Sequence, residues 1–208
     1  MKKYIVEFIG TFFLVLTVGM TVIDPGAGAL APLAIGSALM IMVYAGGHVS
    51  GGHYNPAVTL AVWLRGRCPG SDVPSYWIAQ IVGAFAAASV TLYLKGNPTV
   101  TPADIKIYPA LAAEFIGTFA LAYVVLNVAT AKGTAGNSNY GLAIGFTVMV
   151  MAFALGGISG GAFNPAVATG ITDMNIEKTA NFWVYLVGDL AGGTLAACVF
   201  KFVNPEDK

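Results

Sequence analysis

Charge is the first thing this sequence is short of. Only 10% of its 208 residues are Asp, Glu, Lys or Arg, against about a quarter in soluble domains. A surface so poor in ions could not stay dispersed in water. The ten basic and ten acidic residues cancel to zero net charge, and no basic run occurs, which excludes the electrostatic footprint of a nucleic-acid binder. Cysteine is equally scarce. Cys68 sits in a polar loop and Cys198 in an apolar run, which supports neither a metal-ligand pattern nor a disulfide framework. No phosphate loop or metal cluster appears, and Ser50 and Ser159 lack a base in any catalytic arrangement. The chain therefore reads as no enzyme, with no metal and no cofactor.

What is abundant is apolar sequence, at 57% of residues, gathered into runs too long for an amphipathic globular pattern. Six stretches are long enough to span about 30 Å of hydrocarbon: Tyr4–Ile23, Pro32–His48, Ser75–Lys95, Pro109–Ala131, Tyr140–Gly157 and Thr179–Val203. Met-Lys-Lys before the first could suggest a signal peptide, but that run is of spanning length and carries Glu7, so a retained helix is the expectation. The breaks carry turn chemistry, as in Asp24-Pro25-Gly26 and Cys68-Pro69-Gly70. Two further apolar segments, 56–65 and 165–172, follow glycine-rich stretches and would reach only about 10–15 Å as helices. Short segments with Gly and Pro interruptions at matching places point to a conduction or binding site.

The places match because the chain repeats. Glu7-Phe8-Ile9-Gly10-Thr11-Phe12 recurs as Glu114-Phe115-Ile116-Gly117-Thr118-Phe119, and Ser50-Gly51-Gly52-His53-Tyr54-Asn55-Pro56-Ala57-Val58 recurs as Ser159-Gly160-Gly161-Ala162-Phe163-Asn164-Pro165-Ala166-Val167. Trp77 with Trp183 and Gly83 with Gly188 extend the correspondence, which leaves Ala84 opposite Asp189. A single channel domain, 1–208, is expected from two copies, 1–96 and 108–204, each of three spans and a half-helix. Three is odd, so the second copy must enter the bilayer inverted. Lys2, Lys3, Arg65, Arg67, Lys132, Lys201 and Lys208 then fall inside and Lys95, Lys106 and Lys178 outside, which places both termini in the cytoplasm.

Inverted copies bring the half-helix tips at Asn55 and Asn164 together near the midplane. Asparagine is a favoured N-cap and proline suits the first helical position. Each tip carries roughly half a positive charge, opposing cations, while the two amides can donate to a passing oxygen. Irregular backbone at this depth is tolerable only along a cavity, so the carbonyls of Gly51, Gly52, His53, Gly160, Gly161 and Ala162 are expected as acceptors along the passage.

With six spans, an inverted repeat, both Asn-Pro-Ala boxes (Asn55, Pro56, Ala57 and Asn164, Pro165, Ala166) and Ser-Gly-Gly-His before the first, the chain resembles the aquaporin or major intrinsic protein family along nearly its whole length. The resemblance implies an all-α integral membrane fold of six transmembrane helices and two re-entrant half-helices, and a homotetramer in the lipid bilayer with one pore per subunit. It implies passage of water and small neutral solutes. It implies selectivity by pore width and half-helix dipoles. It also implies that Glu7 and Glu114 hold the re-entrant loops.

The family's outer constriction maps by offset onto Ile35, Ala152, Gly161 and Val167. The last is usually arginine in the family, the first often aromatic and the second often histidine in water-selective members. Ile, Ala, Gly and Val leave the filter no charge and no side-chain donor, so a wider, more apolar opening is expected. Glycerol, urea, ammonia or metalloid hydroxides such as arsenous acid could all fit. An apolar ring can also impede water by dewetting.

His48 and His53 flank the first glycine turn at the expected cytoplasmic mouth, where loop packing and a pH gate are alternatives. Gly141 with Gly145 and Gly188 with Gly192 are expected at close helix crossings, and Tyr4, Tyr76, Trp77, Tyr108, Phe182 and Trp183 as interfacial anchors. Asp189 stands where the family commonly has proline, and the sequence offers no account of it. Two other functions compete with a passive channel: an ion-coupled transporter, for which Asp189 is the one unpaired acid available, and a structural membrane protein with a closed pore.

Overall fold

A computed structural model describes residues 1–207; Lys208, counted above among the inside lysines, lies outside the described residues. The apolar runs form six long helices, α1 (Lys2–Val22), α2 (Ala31–Ser50), α4 (Val73–Leu94), α5 (Ile107–Val125), α6 (Tyr140–Ser159) and α8 (Phe182–Val203), with the short α3 (Pro56–Leu64) and α7 (Pro165–Asp173) between them. A π-helical turn, Leu126–Thr130, extends α5. All six long helices are of length and apolarity to cross a membrane. Large apolar side chains such as Phe13, Ile41, Ile78, Phe146 and Phe202 cover the outside of the bundle, as a lipid-facing surface requires.

The helices pair where small residues let backbones meet. Gly36 of α2 and Gly145 of α6 face each other so closely that a Cβ on Gly36 would lie 2.6 Å from the Gly145 carbonyl oxygen. The same device joins α1 to α4, where Gly83 lies on the Phe8 carbonyl, and α5 to α8, where Gly192 lies on the Phe115 carbonyl. Close approach of this kind holds helices together in lipid, which gives no hydrophobic drive for helix association.

That last equivalence corrects the register read from the sequence. Phe8 and Phe115 are repeat partners, so Gly83 pairs with Gly192 and not with Gly188. The tyrosines agree: Tyr76 Oη donates to the Ser50 carbonyl and Tyr185 Oη to the Ser159 carbonyl. Trp77 and Trp183 are therefore not partners, and Asp189 takes the place of Gln80, not of Ala84. Tyr76 is also no interfacial anchor, being 4% exposed with its hydroxyl spent on the loop. Tyr108, at 84% exposed, sits at the surface.

Candidate functional site

Two re-entrant segments build the site, and each is shaped by its own sequence. The helix α2 ends on Gly51 (φ +90°) and α6 on Gly160 (φ +89°), left-handed positions that glycine adopts without Cβ strain. Three residues later Tyr54 and Phe163 repeat the left-handed geometry at φ +48° and +47°, where a bulky side chain is a genuine outlier. The strain is held by packing: the Tyr54 ring fills the space a Cβ would need at Gly10, and the Phe163 ring does the same at Gly117. Asn55 and Asn164 then return to extended backbone and cap α3 and α7. Asn55 Oδ1 accepts from the N–H groups of Ala57 (2.8 Å) and Val58 (3.3 Å), and Asn164 Oδ1 from those of Ala166 (2.9 Å) and Val167 (3.4 Å). Pro56 and Pro165 occupy the first helical positions.

The two tips are tied together. Asn55 Nδ2 donates to the Phe163 carbonyl and Asn164 Nδ2 to the Tyr54 carbonyl, each at 2.9 Å. Each amide thus has one N–H engaged on the opposite loop and a second left over. Both asparagines border one cavity of about 380 Å³, together with Ile35, Ala152, Gly161 and Val167, so the four filter positions inferred from the sequence come together around one space. Gly160 and Ala162 line it as well, and Leu14, Val18, Leu39, Val148 and Ile171 are among its apolar wall. Among the described residues, no lysine or arginine lines it.

A second cavity, of about 850 Å³, lies on the other side of the loops, bordered by Gly51, Ser50, His48, Lys3, Arg67, Cys68, Asp72 and Lys132. Among the described residues, His53 alone borders both cavities. Its ring is held by Thr59 Oγ1 at 3.1 Å and lies 5.1 Å from the Tyr76 ring. Gly52, expected along the passage, is buried and borders neither cavity.

Carboxylates fix both loops from behind. Glu7 Oε1 accepts from Ser50 Oγ (2.7 Å) and the His53 N–H (3.0 Å), and Oε2 from the Tyr54 N–H (2.6 Å) and Gln80 Nε2 (2.8 Å). Glu114 repeats the pattern with Ser159 Oγ, the Ala162 N–H (3.1 Å) and the Phe163 N–H (2.6 Å). Both glutamates are fully buried. A carboxylate with several N–H and O–H donors can remain in an apolar span because the donors replace water. Their own surroundings in the sequence do not mark Gln80, Tyr76 and Tyr185 as loop partners, although the 109-residue offset of the two asparagines also links Tyr76 to Tyr185 and Gln80 to Asp189.

The rim of the larger cavity is polar. Arg65, 5% exposed, donates to Asp207 Oδ1 and carbonyl and to Thr130, while the Lys132 N–H donates to Asp207 Oδ2 at 2.7 Å. These contacts hold the Asp207 carboxyl below its ordinary range, the Lys132 N–H contributing most and Arg65 next. Lys3 and the Tyr4 hydroxyl do the same for Asp72.

Comparison with known proteins places this architecture. A family model described as Major intrinsic protein matches residues 1–200. Aquaporin NIP1-3 of Oryza sativa subsp. japonica is 37% identical over 222 residues, covering 100% of this chain and 75% of that protein. Aquaporin AqpM of Methanothermobacter thermautotrophicus is 33% identical over 243 residues, covering 99% and 98%. Among solved structures, the aquaglyceroporin from Plasmodium falciparum superposes with a TM-score of 0.82 at 23% identity, covering 99% of this chain and 97% of that one, a likeness of fold.

Proposed function

This chain belongs to the major intrinsic protein family, and from that premise we propose that its lumen is a wide, apolar one that does not select strictly for water. It is a multi-pass integral membrane protein and a passive channel for water and small solutes, not an enzyme. The carrying observation is the cavity at the crossed asparagines, whose outer wall is Ile35, Ala152, Gly161 and Val167 with no cation. A guanidinium at position 167 would add bulk and a fork of five N–H donors. Without it, hydrogen bonding in this lumen falls to the free N–H of each asparagine, to the His53 ring and to loop carbonyls. A small neutral solute that can hydrogen-bond along one edge suits such a wall, so glycerol, urea, ammonia or arsenous acid passes beside water. The arrangement has the second copy inverted, both termini in the cytoplasm and four identical subunits around separate pores.

Liposome swelling against water, glycerol, urea and arsenous acid tests this. The wild type should pass the larger solutes, and Val167→Arg should cut their passage far more than that of water. Equal passage in both proteins would overturn the reading. An ion-coupled transporter is disfavoured because its candidate acid, Asp189, borders neither cavity. A closed structural protein would show tetramers with no excess permeability to any solute.

A further inference from the structure

The two buried glutamates hold their loops alike except for one donor. In the first copy, the outer oxygen of Glu7 accepts from the Gln80 amide at 2.8 Å. In the second copy the residue in Gln80's place is Asp189, which as a carboxylate has no hydrogen to give. Asp189 nonetheless stands beside the same target: on its neighbour Gly188 an added Cβ would lie 3.0 Å from Glu114 Cβ, and Thr118, one turn beyond Glu114 on α5, reaches the Asp189 carboxyl. One of its oxygens, Oδ1, accepts from Thr118 Oγ1 at 2.8 Å. The other, Oδ2, is buried and makes no hydrogen bond of ordinary geometry with any N–H or O–H among the described residues. Glu114 has the complementary gap, with three donors where Glu7 has four.

Two carboxyl groups buried side by side in an apolar span cannot both be ionised without a compensating cation. No Lys, Arg or His forms an ion pair with either among the described residues. The other titratable groups nearby, Tyr185 and Glu177, supply no positive charge, and α3, packed against α8, carries no titratable residue. Glu114 already receives three donors, so it is the member whose charge is satisfied.

We propose that Asp189 is a positioning residue: it carries a proton, donates it to Glu114 Oε2 in a carboxyl–carboxylate hydrogen bond, and so holds the loop of Gly160–Asn164 against the lumen as Gln80 holds the first loop. The proton stays on the pair; no covalent bond forms or breaks. Asp189 touches no solute and acts through Glu114, whose other oxygen and backbone partners set the filter loop.

Infrared spectroscopy of the reconstituted protein tests this directly. The wild type should show the C=O stretch of a protonated carboxyl near neutral pH, shifted by aspartate-specific ¹³C labelling and absent from Asp189→Asn. The permeability arm rests on the channel reading above. Asp189→Asn supplies an amide N–H in place of the acid O–H and should stay within about twofold of wild type, whereas Asp189→Ala should lose about tenfold, the factor for about 1.4 kcal/mol of hydrogen bonding. The infrared arm needs no solute, because the isotope shift is read on the protein itself and the loss of the band in Asp189→Asn assigns it. Absence of an aspartate-labelled acid band overturns the proposal, as does Asp189→Ala matching Asp189→Asn in permeability.

Discussion

Removing the Glu7 carboxylate should free the first re-entrant loop while leaving the helix that carries it in the membrane. Glu7→Leu makes α1 more apolar, so insertion is favoured and a loss cannot be ascribed to failed entry. The substitution strands four buried donors: Ser50 Oγ, the N–H groups of His53 and Tyr54, and Gln80 Nε2. Each stranded buried donor costs about 1–3 kcal/mol, so four approach the whole margin of about 5–15 kcal/mol that holds a typical protein folded. The loop can recover some of this only by letting Tyr54 leave its left-handed backbone, which withdraws the carbonyl that accepts from Asn164. The tips then separate. Glu7→Gln should behave as an intermediate, since its amide oxygen retains acceptors for one side of the cluster while its NH₂ opposes the donors on the other. Stopped-flow light scattering on proteoliposomes should show permeability falling in the order wild type, Gln, Leu, and thermal unfolding in detergent should follow the same order. Wild-type permeability and melting in Glu7→Leu would refute the reasoning.

Three further outcomes follow from the geometry. A methyl group at Gly117 would overlap the Phe163 ring, so Gly117→Ala should destabilise by about 1–3 kcal/mol, read as a lower melting temperature, with Gly10→Ala doing the same through Tyr54. Proton leak into vesicles should fall in Val167→Arg, because the wild-type lumen opposes cations with the two half-helix tips alone; an unchanged leak would count against that. Acidification should release the Asp207 clip. Its carboxyl titrates below the ordinary value, so the clip is fully formed above that value and is lost as pH falls through the lower folded one. Hydrogen-exchange protection of the Lys132 N–H, which donates to Asp207, should disappear across that acid window in the wild type and at every pH in Asp207→Ala.

What was legible in the sequence was whatever local chemistry writes into consecutive residues. A spanning helix is a run of apolar residues, and Asn-Pro-Ala after a glycine turn is a cap, a first helical position and a small residue in series, so both half-helices could be read to within a residue or two of Pro56–Leu64 and Pro165–Asp173. Glu7 and Glu114 stood out because a carboxylate in an apolar run needs an explanation. Their partners did not, since Gln80 lies 73 residues from Glu7 and nothing in its own helix marks it. The register of that helix was drawn from Trp77 and Trp183, yet Trp77 is turned to the Pro56 carbonyl while Trp183 is 47% exposed. Large aromatics on a lipid-facing bundle are interchangeable in a way that buried hydrogen-bonding residues are not. A tyrosine hydroxyl that must reach one carbonyl, or a glycine that must admit one backbone, has a single place it can occupy, so Tyr76 with Tyr185 and Gly83 with Gly192 set the register and the tryptophans do not. Taken at that register, Asp189 ceases to be an isolated acid in a span: it stands where Gln80 stands behind Glu7, next to Gly188, which packs on the Glu114 side chain, and the same inverted geometry that crosses the asparagines repeats that placement in the second copy.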